Sequence, residues 1–395
     1  MGRQAERVPV MDADLRRKTA IVGIGATEFS ASSGRSECRL AVEAALAALD
    51  DAGITPDEVD GLISSDCDAT NQLELINAMG LRNIVSYATI PHGGGSPCGT
   101  VAHAAMMVAS GACRYVLAYR SLNERSGQRY GSVDPVSSFP GVFGLHAPYG
   151  LVVPGEWTAM HARRRMIEFG ETREQWAEVP VTFRMHANRN PAAMQYRKPL
   201  TREDYLAAPL LAEPLCRFDY CLETDGAVAY VVTSAERARS LQATPAYIHA
   251  TAQATGFPIW YQTNYYRASL TTGDEAVATA AQLWKASGLG PADIDVAQIY
   301  DHFAPLVLTS LEDYGFCRKG EAGAFVADGR IALGGELPLN TAGGLLSEGY
   351  IHGWNLILEG VRQVRGSSTA QVEDVEFSLV TSGWGAPTSA LVLAR

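Results

Sequence analysis

Two hydrophobic patterns alternate along the chain, continuous apolar runs and runs with the helical period. TAIVGIGATEF (19–29) is an apolar run ending in glycines, which predicts a buried strand. ECRLAVEAALAALDDAGI (37–54) repeats its apolar residues with the helical period, and Gly53 supplies a C-cap. TPDEVDGLISSD (55–66) then predicts a turn and a second strand. The pattern indicates an α/β fold.

The same order of elements recurs in the second part of the chain. AVATAAQLWKASGLGPADIDVAQIYD (276–301) aligns without a gap beneath AVEAALAALDDAGITPDEVDGLISSD (41–66). Any two amphipathic helices can share alanines by chance. A common Gly-Pro-Asp register, in contrast, is evidence of an internal repeat. The coinciding pairs are Ala41/Ala276, Val42/Val277, Gly53/Gly288, Pro56/Pro291, Asp60/Asp295 and Asp66/Asp301. We therefore predict two α/β halves of similar architecture.

Each half continues with a glycine turn that leads into a small-residue helix. These segments are HGGGSPCGTVAHAAMMVASG (92–111) and AGGLLSEGYIHGWNLILEGVRQ (342–363), and the strands AVAYVVTS (227–234) and VEFSLVTSG (375–383) close the halves. We predict a polar N-terminal extension (1–18), an N-terminal half (19–121 and 216–240), an insertion (122–215) and a C-terminal half (241–395). An insertion of this length is typical of a lid or ligand-binding flap.

Composition narrows the function classes. The 395 residues are 47% apolar and 19% charged with a net charge of −11, which argues against a nucleic-acid partner. No apolar run approaches the roughly 20 residues of a membrane span, and the N-terminus does not have the pattern of a signal peptide. Seven scattered cysteines with no C-x-x-C predict reduced thiols and no metal site. We expect a cytoplasmic protein.

Four segments carry a family resemblance. CLETDGAVAYVV (221–232) is similar to a C-P-x-S-D-G-A-A-A strand entry, and GEWTAMHARRRMIEFG (155–170) to an A-x-x-A-R-R-H-M helix. IYDHFAP (299–305) stands where the family has H-D-x-F, and NTAGGLLSEGYIHGWN (340–355) where it has N-P-S-G-G-x-x-x-x-G-H-P. Together they resemble the sterol-carrier-protein type of the thiolase superfamily. The resemblance implies duplicated halves in a layered αβαβα arrangement, with the large loop insertion in the first half.

The chain departs from that family at its four chemical positions. The nucleophilic cysteine position falls on Gly94, and the second catalytic cysteine falls near Ser382. The histidine of H-D-x-F falls on Tyr300, and the histidine of G-H-P falls on Tyr350. Glycine cannot form an acyl-enzyme, and its small size is expected to leave room at the reacting carbon. Cys98, four residues further on, is the alternative nucleophile.

Within the superfamily, the tyrosine pair resembles the lipid-transfer-protein-like steroid side-chain-cleaving aldolases. That resemblance implies retro-aldol cleavage of 17-hydroxy-3-oxo-4-pregnene-20-carboxyl-CoA to androstenedione and propionyl-CoA. The reaction needs one acid, one base and donors at the thioester oxygen, and no cofactor besides the coenzyme A of the substrate. We expect Tyr300 to accept the hydroxyl proton and Tyr350 to protonate the enolate; the opposite assignment stays open. A divergent thiolase or acyltransferase using Cys98 and a non-catalytic acyl-CoA or sterol carrier are the alternatives.

Supporting roles are predicted for residues around the tyrosines. The backbone amides of Gly94, Gly95 and Ser96 are expected to face the thioester oxygen because they lie at a helix N-terminus. Asp301, His302, His352 and Ser382 are expected to orient or tune the site. The insertion has local positive charge, which is expected to bind the phosphates of coenzyme A or to form a solvated helix face; the residues are Arg163, Arg164 and Arg165, with Arg184, Arg189, Arg197 and Lys198. The resemblance also implies a homodimer and a partner, the zinc-ribbon/OB-fold domain of a MaoC-type enoyl-CoA hydratase.

Overall fold

A computed structural model describes residues 15–129, 142–259 and 262–395, so most of the N-terminal extension and part of the insertion lie outside the described residues. The strands are β1 Thr19–Ala26, β2 Gly61–Ser65, β3 Ser86–Ile90, β4 Tyr115–Asn123, β5 Leu210–Ala212, β6 Leu215–Cys216, β7 Asp225–Ser234, β8 Ala246–Ala254, β9 Val296–Gln298, β10 Phe377–Thr381 and β11 Thr388–Ala394.

Helices connect these strands. They are α1 Glu37–Ala52, α2 Gln72–Met79, α3 Pro97–Ala109, α4 Val142–His146, α5 Pro154–Phe169, α6 Arg173–Trp176, α7 Glu178–Ala187, α8 Arg202–Ala207, α9 Ala235–Ala238, α10 Asp274–Ser287, α11 Ala304–Asp313, α12 Ala322–Ala327, α13 Gly344–Ser347 and α14 Trp354–Arg365. None of these described helices is long and apolar enough to cross a lipid bilayer.

Among the described residues, nine strands form one sheet in the order β3-β2-β4-β7-β1-β8-β11-β10-β9. The two halves meet where Ala20 and Ile21 of β1 pair with Tyr247 and Ala246 of β8. In each half a parallel pair, β2–β4 or β9–β10, is followed by an antiparallel pair, β4–β7 or β10–β11. Helix α1 packs on the first half and α10 on the second, while α3 and α14 contact strands of both halves. The layered α/β arrangement is confirmed.

The internal repeat extends to individual hydrogen bonds. Gly53 and Gly288 end the equivalent helices α1 and α10 in the left-handed region, with φ of 71° and 73°. Asp60 accepts two backbone N–H groups at the start of β4, at 2.8 and 2.9 Å. Asp295 accepts two at the start of β10, both at 2.8 Å. These residues recur because each half has the same glycine cap at the end of its helix and the same aspartate hydrogen bonds at the start of the following strand.

The insertion packs on the C-terminal half although it interrupts the N-terminal half. Ala162, Trp176 and Phe183 belong to a hydrophobic cluster that also contains Leu308 and Leu346. Strand β4 continues to Asn123, so the insertion begins slightly later than residue 122. Its helices therefore lie beside the loop that holds Tyr350.

Candidate active site

The structure brings Tyr300 and Tyr350 together. Tyr300 follows β9 and Tyr350 lies in the loop between α13 and α14, and their hydroxyl oxygens are 3.1 Å apart. The rings meet edge to face with centroids 6.5 Å apart. Tyr300 is 2% exposed and Tyr350 is 7% exposed. Two phenols at hydrogen-bond distance can pass a proton from one to the other.

Threonine hydroxyls fix the backbone at both tyrosines. The Tyr300 N–H donates to Thr381 Oγ1 at 3.0 Å, and the Tyr350 N–H donates to Thr224 Oγ1 at 2.9 Å. Thr381 belongs to the C-terminal half and Thr224 precedes β7 of the N-terminal half. Each tyrosine is thus anchored to a different part of the sheet, and their separation depends on how the halves meet.

Three glycines make room for the Tyr300 side chain. A Cβ atom on Gly94 would overlap the Tyr300 hydroxyl and lie 2.9 Å from its Cζ. A Cβ on Gly353 would lie 2.5 Å from the ring, and one on Gly383 would lie 3.4 Å from it. The space left by the absent cysteine is therefore filled by the phenol, and the expectation that it stays open for a bound ligand is wrong.

Two buried carboxylates hold the loop that carries Tyr350. Asp301 accepts two backbone N–H groups of α13, at 2.9 and 3.1 Å. Glu348 accepts from Asn355 at 2.8 Å and from Asn190 of the insertion at 3.3 Å. Burial raises the pKa of Asp301 and of Glu348 to about 7 in each case. Asp301 thus orients the loop, as the sequence predicts.

His352 is held by a buried arginine that sequence reasoning missed. Arg120 Nη2 lies 3.2 Å from His352 Nδ1, and Arg120 Nη1 forms a buried ion pair with Asp68 at 3.4 Å. A guanidinium only donates, so His352 Nδ1 accepts and its proton sits on Nε2. Burial, then the charge of Arg120, lowers the pKa of His352 far below its usual value. A neutral imidazole thus lies beside Tyr350, with ring centroids 5.4 Å apart.

The predicted oxyanion amides are only partly available. Gly95 N–H donates to the His92 carbonyl at 2.9 Å, and Ser96 N–H donates to the Gly93 carbonyl at 3.0 Å. Both amides already donate hydrogen bonds within the turn that begins α3. The expectation that they face the thioester oxygen is therefore wrong for these two groups. The role of the Gly94 amide stays a prediction.

Cys98 and Ser382 form part of the packing at the start of α3. Ser382 Oγ accepts the Cys98 N–H at 3.0 Å and lies 2.8 Å from Ser389 Oγ. The Cys98 thiol is fully buried, and burial raises its pKa to about 12. The reactive form of a cysteine is the thiolate, so this thiol is unsuited to act as a nucleophile at neutral pH.

We predict that Cys98→Ala retains activity within about threefold, because the buried thiol takes no part in the chemistry. Removing one buried atom should lower the free energy of unfolding by about 1 kcal/mol. Cys113→Ala, at a second buried cysteine whose thiol lies beside Gly61 of β2, is the matched control for the loss of stability. Steady-state rates measure the activity, and thermal unfolding measures the stability. The intact-protein mass after incubation with an acyl-CoA shows whether an acyl adduct forms. An acyl adduct that disappears in Cys98→Ala would contradict the prediction.

The three arginines proposed for coenzyme A are paired with carboxylates. Arg163 pairs with Glu213 at 2.5 Å, and Arg164 pairs with Glu168 at 2.9 Å. Arg165 is buried and holds Glu171 and Glu312. The expectation is wrong for Arg165, because a buried core ion pair cannot reach the phosphates of a ligand.

A cleft of about 730 Å³ in the insertion offers a different positive surface. Arg184 and Arg217 line it, and their mutual repulsion adds to burial in lowering the pKa of Arg184. Within the described ranges, neither guanidinium forms an ion pair with a carboxylate, but the Asp204 carboxylate also lines the cleft and is attracted by Arg217. Tyr220, Leu222 and Leu346 form the wall next to the loop that carries Tyr350. Neither Tyr300 nor Tyr350 itself lines the cleft. Among the described residues, no group of three His, Cys, Asp or Glu side chains is placed to hold a metal ion.

Comparison with known proteins agrees with this geometry. A family model described as thiolase C-terminal domain-like matches residues 259–395. The chain is 49% identical to the 17-hydroxy-3-oxo-4-pregnene-20-carboxyl-CoA lyase of Mycobacterium tuberculosis strain H37Rv over 384 residues, which are 96% of this chain and 100% of that protein. The chain belongs to the thiolase superfamily. Within the superfamily it groups with the steroid side-chain-cleaving aldolases, being 47% identical to the one from Thermomonospora curvata over 95% of this chain and 97% of that protein.

Superposition on solved structures agrees with this assignment to the thiolase superfamily. The structure of the Ltp2-ChsH2(DUF35) aldolase superimposes with a TM-score of 0.93 at 46% identity, over 97% of this chain and 99% of that one. Human mitochondrial 3-ketoacyl-CoA thiolase superimposes with a TM-score of 0.69 at 16% identity, over 97% of this chain and 100% of that one. The second match shows the shared thiolase fold alone.

Proposed function

We propose that this protein is a carbon–carbon lyase that cleaves the side chain of a β-hydroxyacyl-CoA steroid by a retro-aldol reaction. The observation that carries the proposal is the pair of buried phenols with their oxygens 3.1 Å apart, at the positions where thiolases have histidines. Support for the substrate comes from the two relatives, which are named for this lyase and aldolase activity. The proposed products are androstenedione and propionyl-CoA.

The phenol pair supports a proton relay that needs no nucleophile. Tyr300 accepts the proton of the substrate hydroxyl while passing its own proton to Tyr350, and Tyr350 releases its original proton towards Cα in the same event. The Cα–Cβ bond breaks, the hydroxyl carbon leaves as a ketone, and the thioester carries the electron pair as an enolate. The proton that reaches Cα is the original proton of Tyr350, which is replaced by the one from Tyr300, so that both phenols end neutral with one proton each. An unperturbed phenol has a pKa of about 10, so a relay that avoids a free phenolate suits neutral pH. The opposite assignment runs the same relay in reverse.

The same relatives support proposals about the partners of this protein. We infer that activity depends on a DUF35-type partner, the zinc-ribbon/OB-fold domain of a MaoC-type hydratase, because the similar solved structure is that of an Ltp2-ChsH2(DUF35) aldolase. We also propose a cytoplasmic homodimer that needs no cofactor. Support for the dimer is the sheet edge at β3, where Val85 and Tyr87 are 71% and 72% exposed. An apolar sheet edge of this kind favours pairing with a second copy.

A product assay with the 17-hydroxy C22-steroid CoA thioester tests the function, run with and without the partner domain. Equal amounts of ketone and propionyl-CoA, formed only with the partner, support the proposal. Binding of the thioester without cleavage would establish a carrier instead. Acyl transfer to free coenzyme A would establish a thiolase or acyltransferase.

We further propose that Arg184 and Arg217 bind the phosphates of the coenzyme A part, in place of the arginines of α5. Arg184 Nε donates to Ser347 Oγ at 3.0 Å, which ties this charge to the Tyr350 loop. We predict that Arg217→Gln raises KM roughly tenfold with little change in kcat, as expected when one charge-assisted hydrogen bond is lost. Arg163→Gln, whose charge is paired with Glu213, should leave KM unchanged. Steady-state kinetics of both variants test this prediction. A higher KM in Arg163→Gln alone would contradict the assignment of phosphate binding to Arg184 and Arg217.

A further inference from the structure

Each tyrosine has a histidine two residues later in the chain. The segments are Tyr300-Asp301-His302 and Tyr350-Ile351-His352. The His302 ring meets the Tyr300 ring edge to face, with centroids 4.9 Å apart. His302 is also close enough to His352 to contribute to the lowering of its pKa. The two imidazoles therefore border the same reaction centre as the two phenols.

Gln262 fixes the tautomer of His302. Gln262 Oε1 accepts from the Thr158 hydroxyl at 3.2 Å, and Gln262 Nε2 lies 3.5 Å from the Trp384 carbonyl. A carbonyl only accepts, so this amide nitrogen is correctly placed as the donor. The same nitrogen lies at hydrogen-bond distance from His302 Nε2. His302 Nε2 must therefore accept, and the ring proton sits on Nδ1.

The His302 Nδ1–H group is a buried donor that makes no hydrogen bond of normal geometry within the described part of the chain, although the Tyr300 backbone carbonyl interacts with the ring. The residue is 8% exposed. Burial lowers the pKa of His302 to about 3, against a smaller opposite effect of the Tyr300 backbone, so the ring is neutral. An unsatisfied buried donor lowers stability, and one that persists at a reaction centre calls for a functional reason.

We propose that His302 is a catalytic residue whose Nδ1–H donates to the thioester carbonyl oxygen of the bound acyl-CoA. This inference rests on the proposed retro-aldol function. Breaking of the Cα–Cβ bond moves the electron pair into the thioester, and negative charge builds on that oxygen until Cα takes up a proton. The imidazole forms no covalent bond and keeps its proton throughout. Gln262 is the positioning residue, and His302 replaces the Gly95 and Ser96 amides that the turn consumes.

The proposed role of His302 is tested by substituting asparagine or glutamine, each of which reproduces only one of the two ring nitrogens of histidine. The amide nitrogen of asparagine occupies the place of Nδ1, whereas that of glutamine occupies the place of Nε2. We expect His302→Gln and His302→Phe to lower kcat by roughly 10²–10³-fold with KM little changed, the size of effect seen when one oxyanion donor is lost. His302→Asn should keep kcat within about tenfold of wild type. Equal losses in the Asn and Gln variants, or no loss in any variant, would overturn the proposal.

A measurement on the free protein is independent of turnover. Nitrogen-15 spectra of histidine-labelled protein distinguish protonated from unprotonated ring nitrogens, and the signal missing in His302→Asn identifies His302. We expect Nδ1 to be protonated in wild type and the proton to move to Nε2 in Gln262→Glu, where a carboxylate replaces the donor. A wild-type Nε2–H tautomer would overturn the inference. Absence of cleavage by the wild-type protein with its partner domain would instead overturn the proposed function.

Discussion

Tyr350→Phe and Tyr300→Phe should each abolish steroid side-chain cleavage while leaving the fold intact. Each change removes one hydroxyl from the relay, and loss of a general acid or base lowers kcat by about 10²–10⁴-fold. The rings stay in place because phenylalanine fills the same space. The expected stability cost is that of one hydrogen bond, about 0.5–1.5 kcal/mol. Product formation by the complex with its partner domain and thermal unfolding of each variant measure the two effects.

Tyr230→Phe is the matched control for this pair. Tyr230 is fully buried in β7, and its hydroxyl is hydrogen-bonded to Thr100 Oγ1, away from the relay. Its loss should cost similar stability and leave cleavage within a few-fold of wild type. If Tyr300→Phe and Tyr230→Phe had the same small effect on kcat, the tyrosine relay would be wrong.

Gly94→Ala should lower kcat by at least about 10²-fold, because displacing a reacting group by about 1 Å has effects of that size. A Cβ atom at residue 94 would overlap the Tyr300 hydroxyl and press on Cζ, so the phenol must move away from Tyr350. Overpacking of this kind also costs about 1–3 kcal/mol of unfolding free energy. Steady-state kinetics and thermal unfolding report both consequences.

Two variants make the Gly94 test specific. Gly290→Ala is the control, since a Cβ there would meet, among the described residues, only an Asp293 carboxylate oxygen, at 3.9 Å. It should leave kcat unchanged. Gly94→Cys returns sulfur to the thiolase nucleophile position but meets the same Tyr300 phenol, so it should yield neither cleavage nor an acyl-enzyme. Wild-type rates in Gly94→Ala would show that the position of Tyr300 does not matter.

The fold could be predicted from local patterns in the sequence. Helical periods, glycine caps and the repeated Gly-Pro-Asp register identify the equivalent helices α1 and α10 and the strands that follow them. Asp60 and Asp295 recur because each accepts two backbone N–H groups at the start of the next parallel strand. These constraints act over short spans or repeat at fixed spacing, so they are visible without coordinates.

The candidate site could be predicted only in part. Tyr300 and Tyr350 follow from their places in two family motifs, and Asp301 from its position beside Tyr300. Arg120 and Gln262 were missed, because each acts on a histidine far away in the chain. The Tyr-x-His spacing was a signal that could have drawn attention to His302 and His352 together.

The sequence by itself determined the duplicated α/β architecture, the loss of the thiolase cysteine at Gly94 and the presence of tyrosines at the two histidine positions. Only the tertiary structure decided that the Tyr300 phenol fills the space above Gly94, that the Gly95 and Ser96 amides are consumed, and that Arg165 is a core residue. The physical reason is that hydrogen-bond partners, close packing and burial are set by contacts between residues distant in the chain, which local periodicity does not encode.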